Sequence, residues 1–233
     1  MTATRRANAL ITGAAGGIGS AIAAALVESG RQVVLADLDA AAASRLAERL
    51  GAAAHPLALD VTDKAAVDSL ADRIPEKFRP IDILVNNAGH DIGGRTRFDQ
   101  GPADDWSSII DTNLAGMMRV TRSLLPGMVE RNSGDIVNMS SISAIRLVPD
   151  MAAYTASKAG VRAFTDILRA DLAETAIRVT EVLPGLTRTD IVLKRHRGDR
   201  KLEQEYFERF KIALDQPAHV QLAQIVILPV NRW

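Results

Sequence analysis

A strand that is apolar on both faces has to sit between two covering layers, and this chain carries such runs at regular intervals. They are Ala9–Thr12, Gln32–Ala36, His55–Leu59, Ile83–Asn86, Asp135–Met139, Arg178–Leu183 and Gln224–Leu228. Between them lie segments with helical periodicity: Ile18–Ser29, Ala40–Leu50, Lys64–Ile74, Asp104–Arg131 and Ala153–Glu174. Gly116 interrupts the longest, which predicts two helices or one bent one. Strands alternating with helices predict a parallel sheet with right-handed crossovers. The expected fold is α/β: one Rossmann-type doubly wound domain of about seven strands spanning residues 1–233.

Composition narrows what such a domain can do. Lys plus Arg and Asp plus Glu both total 28, a formal net charge of zero, without the basic excess of a nucleic-acid binder. There is no cysteine, which removes disulfides and thiolate chemistry and suits a reducing cytoplasm. Arg5 and Arg6 precede a mostly apolar run to Val27, but Gly13, Gly16, Gly17 and Gly19 break it, so it reads as strand, turn and helix rather than leader or membrane span. His55, His90, His196 and His219 show no metal-ligand spacing, and no metal is expected.

Near the C-terminus the pattern departs from the rest. A helix-like stretch, Gly198–Lys211, is followed by only Ile212–Ala223 before the last strand, and Pro217 lies within it. The spacing implies that a helix is missing near Leu214–Asp215.

The first strand ends in Thr12-Gly13-Ala14-Ala15-Gly16-Gly17-Ile18-Gly19 and leads into an alanine-rich helix. Glycines permit a tight turn and close approach of backbone to a pyrophosphate, and the helix start supplies free N–H groups. Gly13, Gly17, Ile18 and Gly19 are therefore expected to bind a dinucleotide. Asp37 ends the second strand, where a carboxylate can accept from ribose hydroxyls and repel a 2′-phosphate, favouring NAD over NADP. The plainer alternative is a helix cap, since Asp37 and Asp39 flank a helix start. Asp60 ends the third strand, at the edge expected to meet the adenine, and Val61 follows it.

Together the motifs resemble the short-chain dehydrogenase/reductase family. Thr12–Gly19 is similar to its TGxxxGIG loop, Asn86-Asn87-Ala88-Gly89 to its NNAG motif, and Asp111-Thr112-Asn113 to its helical asparagine. Ser141, Tyr154 and Lys158 match its serine and YxxxK elements, and Pro184-Gly185 with Thr189 its nicotinamide-side loop. The order is kept over nearly the whole chain. The resemblance implies an oxidoreductase with Asn113, Ser141, Tyr154 and Lys158 catalytic. It also implies that Asn87, Ala88, Gly89, Tyr154, Lys158, Pro184, Gly185 and Thr189 touch the cofactor, and that the protein is a homo-oligomer, tetramer or dimer.

The chemistry suits those residues. Tyr154 and Lys158 are four positions apart, on one face of a helix. A free phenol ionises near pH 10, and a neighbouring ammonium favours the phenolate that could take an alcohol proton as hydride leaves. Ser141, thirteen residues before Tyr154, could hold the substrate oxygen, with Ser140 as its competitor. By resemblance Asn113 holds a water linking Lys158 to solvent. Substrate contacts are expected from His90, Arg146 and Arg188, with Arg95 nearby. Arginines suit an anionic hydroxy acid, although surface arginines are common and His90 also reads as a solvated loop residue. The charged stretch Lys194–Lys211 reads as part of a lid around 189–216. The alternatives are an NADP-dependent 3-hydroxy acid dehydrogenase, which some segments resemble, and a non-catalytic NAD-binding redox sensor. A nucleotide-sugar epimerase would need a larger C-terminal domain.

Overall fold

The computed structural model describes residues 7–92, 97–146, 149–185 and 224–227. In chain order they form β1 (Asn8–Thr12), α1 (Gly17–Glu28), β2 (Gln32–Asp37), α2 (Ala40–Leu50), β3 (Ala54–Ala58), α3 (Lys64–Asp68), α4 (Leu70–Arg73), β4 (Ile83–Asn86), α5 (Ala103–Ile110), α6 (Met117–Glu130), β5 (Gly134–Met139), α7 (Ala152–Asp171), β6 (Ile177–Pro184) and β7 (Gln224–Ile227). The strands make one sheet in the order β3-β2-β1-β4-β5-β6-β7. Six of them lie within residues 7–185, and the short β7 extends the far edge. Every pairing is parallel.

Alternation along each strand feeds two cores. Leu10, Val34, Leu84, Ile136 and Val179 point to one face, with Leu70, Val120 and Leu168 from the helices covering it. Ala9, Ile11, Val33, Leu35, Val85 and Val137 point to the other, under Ile22, Leu26 and Leu46 of α1 and α2. Strand order reverses between β1 and β4, so the chains leaving their carboxyl ends part and open a crevice.

One helical expectation needed correction, and the expected division of another was met. The single helix predicted over Lys64–Ile74 is broken at Ser69, whose hydroxyl donates to the carbonyls of Ala65 (3.0 Å) and Ala66 (3.2 Å). Such back-bonding bends a helix. The Asp104–Arg131 segment divides at a π-helical turn, Asp111–Gly116. Gly116 lies there because a Cβ would come within 2.7 Å of Val61 Cγ2 and 3.0 Å of the Val61 carbonyl. The third strand ends at Ala58, so Asp60 lies in the loop beyond it. The stretch Gly198–Lys211, the helix implied near Leu214–Asp215 and the lid around 189–216 lie outside the described residues. Among the described residues no helix is long and apolar enough to cross a membrane.

A buried polar chain ties the sheet to the helices behind the crevice. Asn86 Nδ2 donates to Thr121 Oγ1 and to Asn138 Oδ1, each at 2.8 Å, and Asn138 Nδ2 donates to Thr165 Oγ1 at 2.9 Å. Amides buried at that depth orient their neighbours, since a lost partner costs about 1–3 kcal/mol. Thus β4, β5, α6 and α7 are held in register where the site is built.

Candidate active site

The turn after β1 is shaped by main-chain proximity. Gly13 has φ +62° and would bring a Cβ within 2.9 Å of Ala88 Cα. A Cβ on Gly19 would lie 2.2 Å from the Gly13 carbonyl oxygen. Asn87 Nδ2 donates to the carbonyls of Thr12 (3.1 Å) and Gly13 (2.9 Å), and Thr12 Oγ1 accepts from the Asn87 and Ala88 amides, both at 3.0 Å. The NNAG segment is thereby tied to the glycine turn. At the start of α1, Gly16 caps without a side chain and the first turn holds no carboxylate, so Gly17 and Ile18 open a helix whose positive end is uncompensated by its own residues. That is the arrangement a pyrophosphate requires.

Asp37 reaches back from the end of β2: Oδ2 accepts from the Ala15 amide at 2.8 Å and Oδ1 from the Asp39 amide at 2.9 Å. Asp39, not Asp37, caps α2, accepting from Ala42 N. A carboxylate thus flanks the glycine turn where an adenosine ribose would lie. Asp60 instead accepts from the amide and hydroxyl of Thr62, and the Val61 side chain is buried in the core, leaving the backbone of this loop as its means of meeting an adenine. Pro184 closes β6 and Gly185 follows it; Thr189 lies outside the described residues.

The reactive side chains project from α7. Lys158, 5% exposed, donates from Nζ to the Met139 carbonyl at 2.8 Å, and its amine lies 5.8 Å from the centroid of the Tyr154 ring. Burial lowers its pKa to about 8. The Ser140 hydroxyl donates to the Lys158 carbonyl at 3.1 Å, which fastens α7 to β5. Ser141 Oγ accepts from the Ser143 amide at 3.2 Å and lies beside the phenol. The two serines therefore differ in occupation: one hydroxyl faces the helix backbone and the other the tyrosine.

The phenol does not follow the electrostatic expectation. Burial pushes the Tyr154 pKa up, the Ser141 hydroxyl pulls it down, and the Asp91 carboxylate pushes it up again. With its amine turned to Met139, Lys158 does not offset this. Asn113, 1% exposed within the π turn, accepts from His90 N at 2.9 Å and donates to the His90 carbonyl (3.0 Å) and to Ser157 Oγ (3.1 Å). Its amide is a clamp between the loop after β4 and α7. Gly89 has no room for a side chain there: a Cβ would meet Asn113 Oδ1 at 2.9 Å and Lys158 Nζ at 3.5 Å.

The two expected substrate residues that are described, His90 and Arg146, do not line the recess beside Tyr154. His90 is half-buried, with Nε2 3.2 Å from both Thr112 Oγ1 and Ser108 Oγ, so it is neither a solvated loop residue nor a wall of the recess beside Tyr154. Arg146 is exposed, and Arg95 and Arg188 lie outside the described residues. The recess, about 340 Å³ counted to its open mouth, is bounded by Tyr154, Asp91, Asp105, Asp150, Trp106, Met151 and neighbouring residues. Sequence reasoning missed Asp91, Asp105, Asp150 and Trp106, as well as Asn138, Thr165 and Ser157 behind the site. Only the placement of Asp91 directly after Gly89-His90 was a usable signal.

Comparison with known proteins agrees with this geometry. Residues 7–200 match the family model described as short chain dehydrogenase. An uncharacterized oxidoreductase of Staphylococcus saprophyticus is 36% identical over 228 residues, covering 95% of this chain and 97% of its own. The closed form of serine dehydrogenase complexed with NADP+ superposes with TM-score 0.88 at 33% identity, covering 97% of this chain and 96% of that one. The 3-ketoacyl-(acyl-carrier-protein) reductase of Brucella melitensis complexed with NADH does so with TM-score 0.83 at 29% identity, covering 94% and 95%. The chain belongs to the short-chain dehydrogenase/reductase family of oxidoreductases.

Proposed function

We propose that this protein moves a hydride between NAD and the secondary alcohol, or the corresponding carbonyl, of a small hydroxy compound, with Tyr154 as acid and base. The observation that carries this reading is the phenol lying beside the Ser141 hydroxyl, on a helix whose Lys158 is buried one turn away at the mouth of the dinucleotide crevice. The glycine cradle, the uncompensated start of α1 and Asp37 fit NAD. Gly13, Gly17, Ile18 and Gly19 would hold the pyrophosphate, Asp37 the ribose, and Asn87 to Gly89 the adenosine side. Bound NAD supplies the hydride acceptor and a positive charge that favours the phenolate.

The chain's own residues do the rest. Ser141 donates to the substrate oxygen and holds it against Tyr154. Tyr154 removes the hydroxyl proton in oxidation and returns it in reduction. Lys158 has to carry its ammonium to this site, and the Asn113 clamp holds the loop that covers it. A relay water to Lys158 would meet the backbone of the π turn, because the Asn113 amide is already engaged. Tyr154→Phe should lower NADH formation by about 10³-fold, within the range for loss of a general acid–base, with NADH binding kept. Unchanged turnover would overturn the mechanism. No turnover in the native chain across secondary alcohols, with NADH bound, would instead favour a redox sensor.

A second reading, an NADP-dependent 3-hydroxy acid dehydrogenase, draws on the likeness to serine dehydrogenase with NADP+. Asp37 weighs against it, since its carboxylate would face the 2′-phosphate. Assembly as a homo-oligomer is supported by exposed Met118 and Val129 on α6 and Ile167 on α7, apolar side chains suited to a second copy.

A further inference from the structure

His90 is held by its ring as well as by its backbone. The Asn113 amide clamps the His90 N–H and carbonyl at 2.9 and 3.0 Å. The imidazole adds contacts of its own. Nδ1 accepts from the Ile92 amide at 3.3 Å, and Nε2 lies 3.2 Å from the hydroxyls of Thr112 in the π turn and Ser108 in α5. An acceptor at Nδ1 requires the neutral ring, whose proton then sits on Nε2 and faces the two hydroxyl oxygens. A side chain that takes the amide two residues on has the geometry of an Asx turn, so the ring shapes its own loop while tying that loop to α5.

Protonation leaves Nε2 a donor but turns Nδ1 into a second one, set against the Ile92 N–H. The charged and titratable groups on the surrounding elements are Asp91 in the same loop, Asp104, Asp105 and Asp111 on α5 and the π turn, and Tyr154 and Lys158 on α7. Among the described residues none of them is hydrogen-bonded to the ring, so no carboxylate stands ready to receive the new N–H. The loop so held borders both parts of the site. Gly89, just before His90, packs against Asn113 and the Lys158 amine, and Asp91 and Ile92, just after it, line the recess with Tyr154.

We propose that His90 is a positioning residue: its neutral imidazole latches the loop after β4, and protonation of the ring loosens that loop, so that dinucleotide affinity falls in mildly acid solution. The inference rests on the reading of Asn87 to Gly89 as cofactor contacts and adds to it a residue that touches no reactant. The sign follows from the acceptor. The latch is whole above the range in which imidazoles titrate and is lost below it.

The test titrates NADH, by its fluorescence, into the native chain, His90→Asn and His90→Ala at about pH 8 and about pH 5.5, on either side of that range. Asparagine offers an oxygen that accepts from the Ile92 amide at both pH values, and alanine offers nothing. The native chain should bind NADH about tenfold more weakly at the lower pH, the size of one lost hydrogen bond. His90→Asn should change by less than about twofold, and His90→Ala should bind weakly throughout. Lys158, with its pKa of about 8, gains a proton over the same interval in all three chains, so the difference between chains isolates the ring. A native affinity that does not fall, or an equal fall in His90→Asn, would overturn the proposal. Proton–nitrogen NMR decides the latch apart from nucleotide binding: the Ile92 amide should titrate with the His90 ring in the native chain and stay fixed in His90→Asn. Absence of NADH binding in all three chains would sink the cofactor reading, whereas an Ile92 amide indifferent to pH would sink the latch.

Discussion

The glycine-lined crevice after β1 and the recess beside Tyr154 are built of different material. The first is backbone held close: Gly19 lies against the Gly13 carbonyl, and the short side chains of Thr12 and Asn87 bond to each other's main chain and to that of Gly13 and Ala88. The second is side chain against solvent, with three aspartates and a tryptophan on separate segments. A backbone cradle tolerates little change, because no rotamer can relieve a clash with a peptide group. A wall of side chains can change sign without disturbing the fold. On the function proposed above, the crevice would carry the task shared by the family and the recess the individual preference of this chain.

The sharpest way to break that comparison is Gly19→Ala. The added methyl would meet a carbonyl oxygen at 2.2 Å and the Ala14 Cα at 2.8 Å, so NADH affinity by fluorescence titration should fall at least about 100-fold. A change under about threefold would mean that the turn is looser than its contacts imply.

Next in size is a pH effect at Lys158, which belongs to both regions. Its folded pKa of about 8 lies below the ordinary lysine value of 10.5, so the unfolded chain binds more protons between those values. Stability should therefore rise from pH 8 to 10.5 by up to about 3 kcal/mol and fall as pH drops through 8. The difference between the native chain and Lys158→Met in urea unfolding isolates that contribution. Parallel curves would show that the amine is not desolvated.

The smallest expected change tests the edge of the crevice. Asp37→Ser removes a like charge from the site of a 2′-phosphate and should narrow the NAD-over-NADP ratio of kcat/KM by about tenfold. A ratio that stays fixed would take cofactor choice away from β2.

What could be read in the sequence follows the same division. Strands buried on both faces announce themselves as apolar runs, and Ile83–Asn86 was located to the residue while β3 moved by one. The glycine turn and the Tyr154–Lys158 spacing were legible because their requirements are local. The break at Ser69 was not, since a serine reaching its i−4 carbonyl leaves helical periodicity intact. The π turn depends on Gly116 pressing against Val61, a contact between distant segments. The acidic wall joins residues 91, 105 and 150 only after β4, α5 and α7 have packed, so Arg146 carried more weight in the sequence than it holds in the recess. The depressed Lys158 follows from burial that a YxxxK spacing does not encode.

Lys158 is anchored twice at the end of β5: its amine to the Met139 carbonyl, and its own carbonyl to the hydroxyl of Ser140, the next residue. With two such pins α7 can neither roll nor slide along the sheet, and the phenol one turn earlier inherits that fixed bearing. A lineage adapting this scaffold to another molecule would therefore leave the aim of the tyrosine alone and recut the surface opposite it. The history of substrate change should then be written in the loops bearing Asp91 and Asp150, with α7 left untouched.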